Sequence, residues 1–264
     1  MSNYIYNDNN NYINLYEKII STNEFDIYQQ RTSDLYKIKL KNNSYKNQFF
    51  LHSIKQTNLL TGLTINSNNN EEFIFQASSV TTLNEIDNSK KIDNSKTIKK
   101  YSYEKCQMVI SCLTKQLKKL LNNGYSFFGY NPTNIIIVNE CIFLQISTEY
   151  LLPLKKNNII FHSPFSKDFF TFISPEVYQI TNLPTKITFK CIYYSIASLS
   201  IYLLFNKNIL KLTVNHENDS NNNNSNNKTN VVEDILEPIK GTKLYWFLLR
   251  ALEPNIENRQ LIYI

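Results

Sequence analysis

The chain is poor in the residues that build flexible backbones and metal sites. Its 264 residues include only 4 glycines, 7 prolines, 4 cysteines and 3 histidines. So little glycine and proline excludes collagen-like and Gly/Ser-linker architectures. The cysteines (Cys106, Cys112, Cys141 and Cys191) form no Cys-x-x-Cys pair. We therefore expect no structural zinc site.

Long apolar runs are also missing. The most apolar stretch, residues 191–205, contains Tyr and Ser and is too short to span a bilayer. The N-terminus lacks the charged start and apolar core of a secretory signal. These features predict a soluble, cytoplasmic protein in a reducing compartment.

Asparagine and aromatic residues are abundant instead. Asparagine supplies 39 residues, and 18 tyrosines and 16 phenylalanines make a chain that will collapse into a core. The net charge is +6, but the lysines are spread along the chain. A nucleic-acid binder usually gathers its basic residues on one face, so nucleic-acid binding is not expected.

Three polar tracts divide the chain. Residues 1–12 and 215–230 are rich in Asn and other polar residues, and residues 84–101 contain a tandem Ile-Asp-Asn-Ser-Lys repeat. Such tracts bury too little apolar area to offset the entropy lost on ordering. We predict a disordered N-terminus at 1–12, a low-complexity linker at 84–101 and a disordered insertion at 215–230.

The remaining segments show strand periodicity first and helix periodicity later. Alternation predicts a strand at 35–40, and short apolar runs indicate further strands at 48–54 and 72–76. The strands at 35–40 and 48–54 are expected to form a hairpin. Ser102 is positioned to cap a helix that runs to about Asn122. Two short β-runs follow at 134–138 and 141–146, and helical patterns occupy about 186–204 and 242–252. The sequence therefore predicts an α+β fold.

Four segments in this order carry a resemblance. They are Gly124–Val138 with Pro132 and Asn134, Ser174-Pro175-Glu176, residues 195–204, and residues 248–259 ending in Arg259. Their order and spacing resemble the catalytic loop, the A-P-E motif, the central helix and the closing segment of eukaryotic protein kinases.

The resemblance implies a two-lobed protein-kinase-like fold. Its small, β-rich N-lobe would span residues 13–83, with a short or missing regulatory helix. Its larger, mainly helical C-lobe would span residues 102–264. Glu176 and Arg259 would form a structural ion pair that clamps this C-lobe.

The same resemblance marks gaps where phosphoryl transfer needs charge. Gly129 and Asn131 occupy the slots of the catalytic Asp and the catalytic-loop Lys, and His52 falls at the slot of the strand Lys. Residues 25–36, where the Gly-rich loop is expected, contain no glycine, and no Asp lies near residues 145–147. We therefore expect a catalytically inactive member, a pseudokinase that acts as a scaffold or regulatory module for protein partners.

No cofactor is expected, although residual ATP binding stays open, with His52, Lys55 and Asn134 as the cofactor-binding candidates. An alternative is a divergent serine/threonine kinase with weak ATP-dependent phosphotransfer, which would use Lys55, Asn134, Glu140 or Glu149. A third hypothesis is a decaying family copy without a selected function.

His162 and Trp246 are two further residues whose roles the sequence indicates. A hydrolase would need a nucleophile beside His162, and no nucleophile turn accompanies it. Trp246, in the last helical pattern, is assigned to the core.

Overall fold

The fold is α+β. The computed structural model describes residues 4–5, 13–41, 45–66, 71–84, 100–165, 167, 171–212 and 228–261. Among these residues, no helix is both long enough and apolar enough to cross a membrane. Short strands β1 (Tyr4–Ile5) and β2 (Ile13–Asn14) pair with each other ahead of the main sheet.

A five-stranded antiparallel sheet forms the N-terminal part. Its strands are β3 (Tyr16–Ser21), β4 (Phe25–Gln30), β5 (Leu35–Leu40), β6 (Thr61–Ile65) and β7 (Glu72–Gln76). They lie in the order β3-β4-β5-β7-β6. The predicted strands at 35–40 and 72–76 are confirmed.

Alternation along these strands separates a buried face from an exposed one. The buried face carries Phe25, Ile27, Tyr36, Ile38, Leu40, Phe73 and Phe75. Lys37 and Lys39 alternate with the buried residues of β5. The ammonium of Lys37 lies 4.7 Å from the Tyr16 ring centroid and 5.0 Å from that of Tyr28, on the opposite face.

The strand predicted at 48–54 is wrong. Residues Lys46–Thr57 form helix α1, so no hairpin joins this segment to β5, which pairs with β4 and β7 instead. Phe50, Leu51 and Ile54 are buried. Their i, i+1, i+4 spacing places them on one helical face, and this pattern outweighs the strand-like apolar run at 49–51. Helix α1, with 12 residues, therefore lies between β5 and β6, which are the third and fourth strands of the five-stranded sheet in chain order. A short or missing helix was expected there.

A long helix leads into the second part. Helix α2 (Tyr103–Asn122) begins where predicted, because the Ser102 hydroxyl accepts a hydrogen bond from the Lys105 backbone N–H at 3.2 Å. Helix α2 packs against α1, and the Asn123 side chain after it donates to the Ser53 hydroxyl at 2.8 Å. The predicted helix is confirmed.

Short antiparallel pairings follow α2. The two β-runs predicted at 134–138 and 141–146 are confirmed as β11 (Ile135–Val138) and β12 (Ile142–Gln145). These strands pair with each other, and β11 also pairs with β8 (Val80–Thr82). The other strands of this part are β9 (Tyr125–Phe127), β10 (Gly129–Tyr130), β13 (Leu151–Lys155), β14 (Asn158–Phe161), β15 (Phe172–Ile173) and β16 (Thr185–Thr188). Strand β9 pairs with β13, and β10 pairs with β15.

The later helices of the described residues include α3 (Pro175–Tyr178), α4 (Cys191–Phe205), α5 (Lys228–Leu236) and α6 (Lys243–Ala251). Helix α4 is buried almost all round and contacts both α2 and α6. The assignment of Trp246 to the core is wrong, because this side chain is 54% exposed while its neighbours Tyr245 and Phe247 are buried. Trp246 lies on the outer side of an amphipathic helix.

Only a few residues of the three polar tracts lie among the described residues. Tyr4–Ile5 form a strand inside the tract predicted to be disordered at 1–12, and residues 228–230 begin α5 inside the tract predicted at 215–230. The rest of residues 1–12 and residues 215–227 lie outside the described residues, as do residues 85–99 of the predicted linker.

Candidate functional site

The segment that carries the resemblance to a catalytic loop runs from Gly124 to Asn134, between α2 and β11. We call it the loop segment. It contains strands β9 and β10, and both are held by antiparallel partners from later in the chain. Phe127, Phe128 and Tyr130 are buried in it. The segment is therefore fixed by packing along most of its length.

Gly129 lies at the centre of the loop segment and has no room for a side chain. A Cβ atom built there would be 2.6 Å from Cγ2 of Ile173 and 3.2 Å from the backbone oxygen of Phe172. Gly129 is paired with Ile173 through the β10–β15 ladder, which holds the two backbones close together. A carboxylate at this position would require the ladder to move apart.

The two asparagines of the loop segment stabilise a turn. The Asn131 side-chain oxygen accepts from the Thr133 backbone N–H at 3.0 Å and from the Thr133 hydroxyl at 2.7 Å. Asn134 is buried, and its backbone oxygen accepts from the Ile146 N–H at 2.6 Å. Asn131 thus caps the turn Pro132–Asn134, and Asn134 joins it to the segment after β12.

Residues 146–150, which follow β12, lie beside the loop segment; we call them the Ser147 segment. Ser147 is buried, and its hydroxyl donates to Oε2 of Glu24 at 3.0 Å while accepting from the Glu149 backbone N–H at 3.1 Å. Glu24 belongs to the turn Thr22–Glu24 between β3 and β4. A contact between residues 123 positions apart thereby ties the sheet to the Ser147 segment.

Two carboxylates and a phenol share this region. Burial raises the pKa of Glu149, and the negative charge of Glu24 raises it further. Burial likewise raises the pKa of Tyr150, against the opposing effect of hydrogen bonds with Thr171 and Asn131. Glu149 therefore holds its proton more strongly than an ordinary glutamate.

The cation candidates do not converge on this region. His52 and Lys55 are exposed on α1, and the His52 Nε2 atom is 2.8 Å from Nε2 of Gln56 one turn later. His52 is therefore on a helix and not on the strand that the alignment required. Glu140 is exposed in the turn between β11 and β12, and His162 is exposed after β14.

Helix α1 and strand β5 also lack a charge pair facing each other. Residues 46–57 include no Asp or Glu. The inward side chains of β5 are Tyr36, Ile38 and Leu40, and its two lysines point to the other face, where Lys39 lies 3.8 Å from Glu72. An apolar surface stands where a phosphate-binding lysine would be needed.

Glu176 and Arg259 are brought together. Both terminal nitrogens of Arg259 donate to the Glu176 carboxylate, at 2.5 and 3.1 Å, and its Nε donates to the Glu253 backbone oxygen at 2.8 Å. The guanidinium also lies 5.1 Å from the Tyr194 ring centroid. Arg259 is among the largest fully buried side chains, so this pair joins α3 to the end of the chain.

Metal and thiol chemistry find little support. Within the described ranges, no group of three or more His, Cys, Asp or Glu side chains could hold a metal ion. Cys106, Cys112 and Cys191 are buried, and burial raises the pKa of each thiol, that of Cys106 to about 12. Such thiols are poor nucleophiles.

Sequence reasoning missed two sets of contacts. Glu24 carries no motif, and only the tertiary contact with Ser147 gives it a role. Gln116 of α2 donates to the Gln145 backbone oxygen at 2.9 Å and accepts from the Gln145 N–H at 3.1 Å. Its place on the apolar face of α2 was a usable signal, because a polar residue on such a face needs a buried partner.

A scan against models of known protein families finds no match, and a search of curated proteins finds none either.

Proposed function

We propose that this chain is a protein-kinase-like domain without phosphotransfer activity, a pseudokinase that acts as a scaffold or regulatory module for a protein partner. The resemblance of the loop segment, Glu176 and Arg259 to kinase motifs is the starting point. The contacts described above support it, as follows.

The order of elements agrees with the proposal. Protein kinases carry their phosphate-binding lysine on the third strand of the small lobe and its glutamate partner on the helix that follows. Here the third strand of the five-stranded sheet is β5, and α1 follows it. The long helix α2, the loop segment, the β11–β12 hairpin and the Glu176–Arg259 pair then succeed one another in the family's order.

The packing of Gly129 is the main support for the proposal that the domain is inactive. The catalytic Asp of a kinase accepts the proton of the substrate hydroxyl. At the matching slot, a Cβ atom would lie 2.6 Å from the Ile173 side chain and 3.2 Å from the Phe172 backbone oxygen, so an Asp there would displace both. The glycine that replaces the catalytic Asp is therefore matched by the packing around it. A neutral exchange of one side chain would not require such packing.

The remaining charged groups of phosphoryl transfer are replaced as well. Ser147 stands where the metal-binding Asp is expected, and its hydroxyl is engaged with Glu24. The inward face of β5 is apolar, and α1 offers no carboxylate. Without these groups, neither Mg²⁺ nor the nucleotide phosphates find the charges that neutralise them.

A divergent kinase remains the second candidate, on one observation. The half-buried Glu149, with its raised pKa, is the kind of carboxyl group that can act as a general base. The other residues of that hypothesis are Lys55, Asn134 and Glu140. Lys55 and Glu140 are exposed on α1 and in the β11–β12 turn. Asn134 is buried in the loop segment, and its backbone oxygen accepts from the Ile146 N–H of the Ser147 segment.

Exposed aromatic side chains favour a protein-binding role. Tyr45 is 72% exposed at the start of α1, Phe49 is 43% exposed one turn later, and Trp246 is exposed on α6. Tyr and Trp are the residue types that dominate the binding energy of protein interfaces.

Thermal unfolding with and without millimolar ATP and Mg²⁺ tests the proposal. A ligand present at one hundred times its dissociation constant stabilises a protein by about 2.7 kcal/mol, or roughly 5–10 °C for this size. We expect no shift. A Mg²⁺-dependent shift of that size would favour the divergent kinase, and a protein without a cooperative transition would favour the decaying copy.

A further inference from the structure

Helix α2 packs against the edge of strand β12, which is the outer strand of the sheet ordered β12-β11-β8. Side chains of α2 bond the backbone groups at this edge. Gln116 bonds the N–H and the oxygen of Gln145. One turn earlier, the Cys112 thiol donates to the Cys141 backbone oxygen at 3.8 Å, and its sulfur accepts a hydrogen bond from the Phe143 N–H. The Cys112 thiol is therefore held at the beginning of β12, beside a second cysteine.

These contacts bring Cys112 within reach of Cys141 for a covalent bridge. A carbonyl oxygen lies about 2.4 Å from the Cα atom of its own residue, so the Cys112 sulfur is at most about 6.2 Å from the Cys141 Cα atom. The Cys141 sulfur lies about 2.8 Å from that Cα atom and changes direction with χ1. Its rotation therefore covers most of the gap. Residues 139–140, at the tip of the β11–β12 hairpin, are exposed, so a small movement of this turn closes the rest.

The two thiols have unequal surroundings. Cys141 is exposed, whereas Cys112 is 9% exposed. Burial raises the pKa of the Cys112 thiol and the charge of Cys141 adds to this effect, while the Phe143 N–H and the Lys115 ammonium oppose it. A dissolved oxidant therefore meets Cys141 first. An accessible cysteine next to a second cysteine that can attack its oxidised sulfur is the arrangement found in redox-sensing proteins.

We propose that Cys112 and Cys141 form a redox-sensitive site, at which a peroxide oxidises Cys141 and Cys112 then closes a disulfide between α2 and the β11–β12 turn. In the first step, the Cys141 sulfur attacks hydrogen peroxide, the O–O bond breaks, and a sulfenic acid and water form. In the second step, the Cys112 sulfur attacks the Cys141 sulfur, and the hydroxyl group leaves as water with the Cys112 proton. The two thiols lose two electrons, and the peroxide is reduced to water.

The disulfide ties the tip of the β11–β12 hairpin to α2. This hairpin connects the loop segment to the Ser147 segment, and β11 also pairs with β8. Oxidation therefore restrains the connection between the two segments, and a dithiol that reduces the bond releases it. Neither step requires a nucleotide or a phosphotransfer site. The inference is therefore independent of the proposed function.

Mass spectrometry of the intact protein tests the site. The reduced protein is treated with a small excess of hydrogen peroxide at pH 7.5, and the remaining thiols are then alkylated with N-ethylmaleimide in denaturant. We expect a monomer that takes up two alkyl groups where the untreated protein takes up four, and four again after dithiothreitol. Tryptic peptides 106–115 and 120–155 should be joined, and fragmentation should place the link between Cys112 and Cys141.

Single substitutions assign the two roles. Cys141→Ser should keep its three remaining thiols after peroxide treatment, because Cys112 is shielded from the oxidant. Cys112→Ser should stop at the Cys141 sulfenic acid, which dimedone traps. Cys191→Ser is the matched control, because its thiol is buried on α4, and it should form the bridge as fast as the original protein.

Three results would overturn the proposal. The first is a Cys141 sulfenic acid that accumulates in the original protein without forming a bridge. The second is a disulfide that joins Cys141 to Cys106 in place of Cys112. The third is an intramolecular disulfide that still forms in Cys112→Ser at the original rate. Because no nucleotide is present, ATP binding or phosphotransfer found in a separate experiment would count against the proposed function and leave this test unaffected.

Discussion

The ion pair between Glu176 and Arg259 offers the sharpest test of the energetics. The Arg259 side chain is 1% exposed, whereas that of Glu176 is 26% exposed. Glu176→Gln therefore leaves a guanidinium charge buried without its counter-charge. Breaking a buried pair in this way costs about 3–5 kcal/mol. The bond to the Glu253 oxygen and the Tyr194 ring remain, so we expect about 3 kcal/mol.

Removing the buried charge as well should recover part of that loss. In Glu176→Gln combined with Arg259→Met, an apolar side chain of similar length fills the space and no unpaired charge remains. Replacing a buried ion pair with apolar residues is often much less costly than breaking it. The double variant should therefore be more stable than Glu176→Gln alone.

Urea denaturation followed by circular dichroism gives the free energies of unfolding. Glu237→Gln is the matched control, because its pair with Lys240 is more than 60% exposed on both sides and is worth less than about 1 kcal/mol. The reasoning fails if Glu176→Gln costs no more than Glu237→Gln. It also fails if the double variant loses the sum of the two single losses.

Three other substitutions have definite expected outcomes. By urea denaturation, Gln116→Leu should destabilise the fold by about 2–3 kcal/mol, because two buried backbone groups of Gln145 lose their partner. In the same assay, Gln145→Leu should raise the free energy of unfolding by about 1 kcal/mol. The reason is that the Gln145 side-chain amide is buried with no hydrogen-bond partner among the described residues. Gly129→Asp should lower the melting temperature, with a cost of at least about 1–3 kcal/mol from overpacking, and should produce no phosphotransfer.

Asp26→Asn tests the pH dependence of stability. Burial alone would raise the pKa of Asp26, but hydrogen bonds from Ser21, Lys18 and Lys41 outweigh it and lower the pKa from 3.8 to about 2. The stability that the charged group contributes is complete above pH 3.8 and is lost as the pH falls through 2. The difference between the original protein and Asp26→Asn, measured by thermal unfolding, should therefore shrink between pH 5 and pH 2.

Strong periodicity and local capping made part of the fold predictable. Helix α2 shows a long apolar stripe and a serine cap, and the strand at 72–76 shows a short apolar run between two polar residues; both occur as expected. The segment 48–54 was predicted as a strand because it also contains a short apolar run, Phe49-Phe50-Leu51, between polar residues. The competing signal was the i, i+4 pair of Phe50 and Ile54, and tertiary packing decided between the two patterns.

The sequence predicts which catalytic residues are missing from the candidate site. It does not predict the contacts that the remaining residues make. The sequence alone shows that Gly129 carries no carboxylate. Ile173 crowds Gly129 because strand β10 pairs with strand β15, and the two paired residues are 44 positions apart in the chain. Likewise, the Glu24–Ser147 bond depends on how the sheet meets the Ser147 segment, and no local pattern encodes that contact.

The most direct test of the central claim is phosphotransfer itself. The purified protein would be incubated with radiolabelled ATP, Mg²⁺ and a generic protein substrate, and ADP formation and label transfer would be followed over time. The account predicts neither above the protein-free blank, because the Gly129 slot and the Ser147 segment hold no catalytic or metal-binding Asp. Time-dependent transfer that scales with protein concentration, and that is lost in Asn134→Ala, would contradict it.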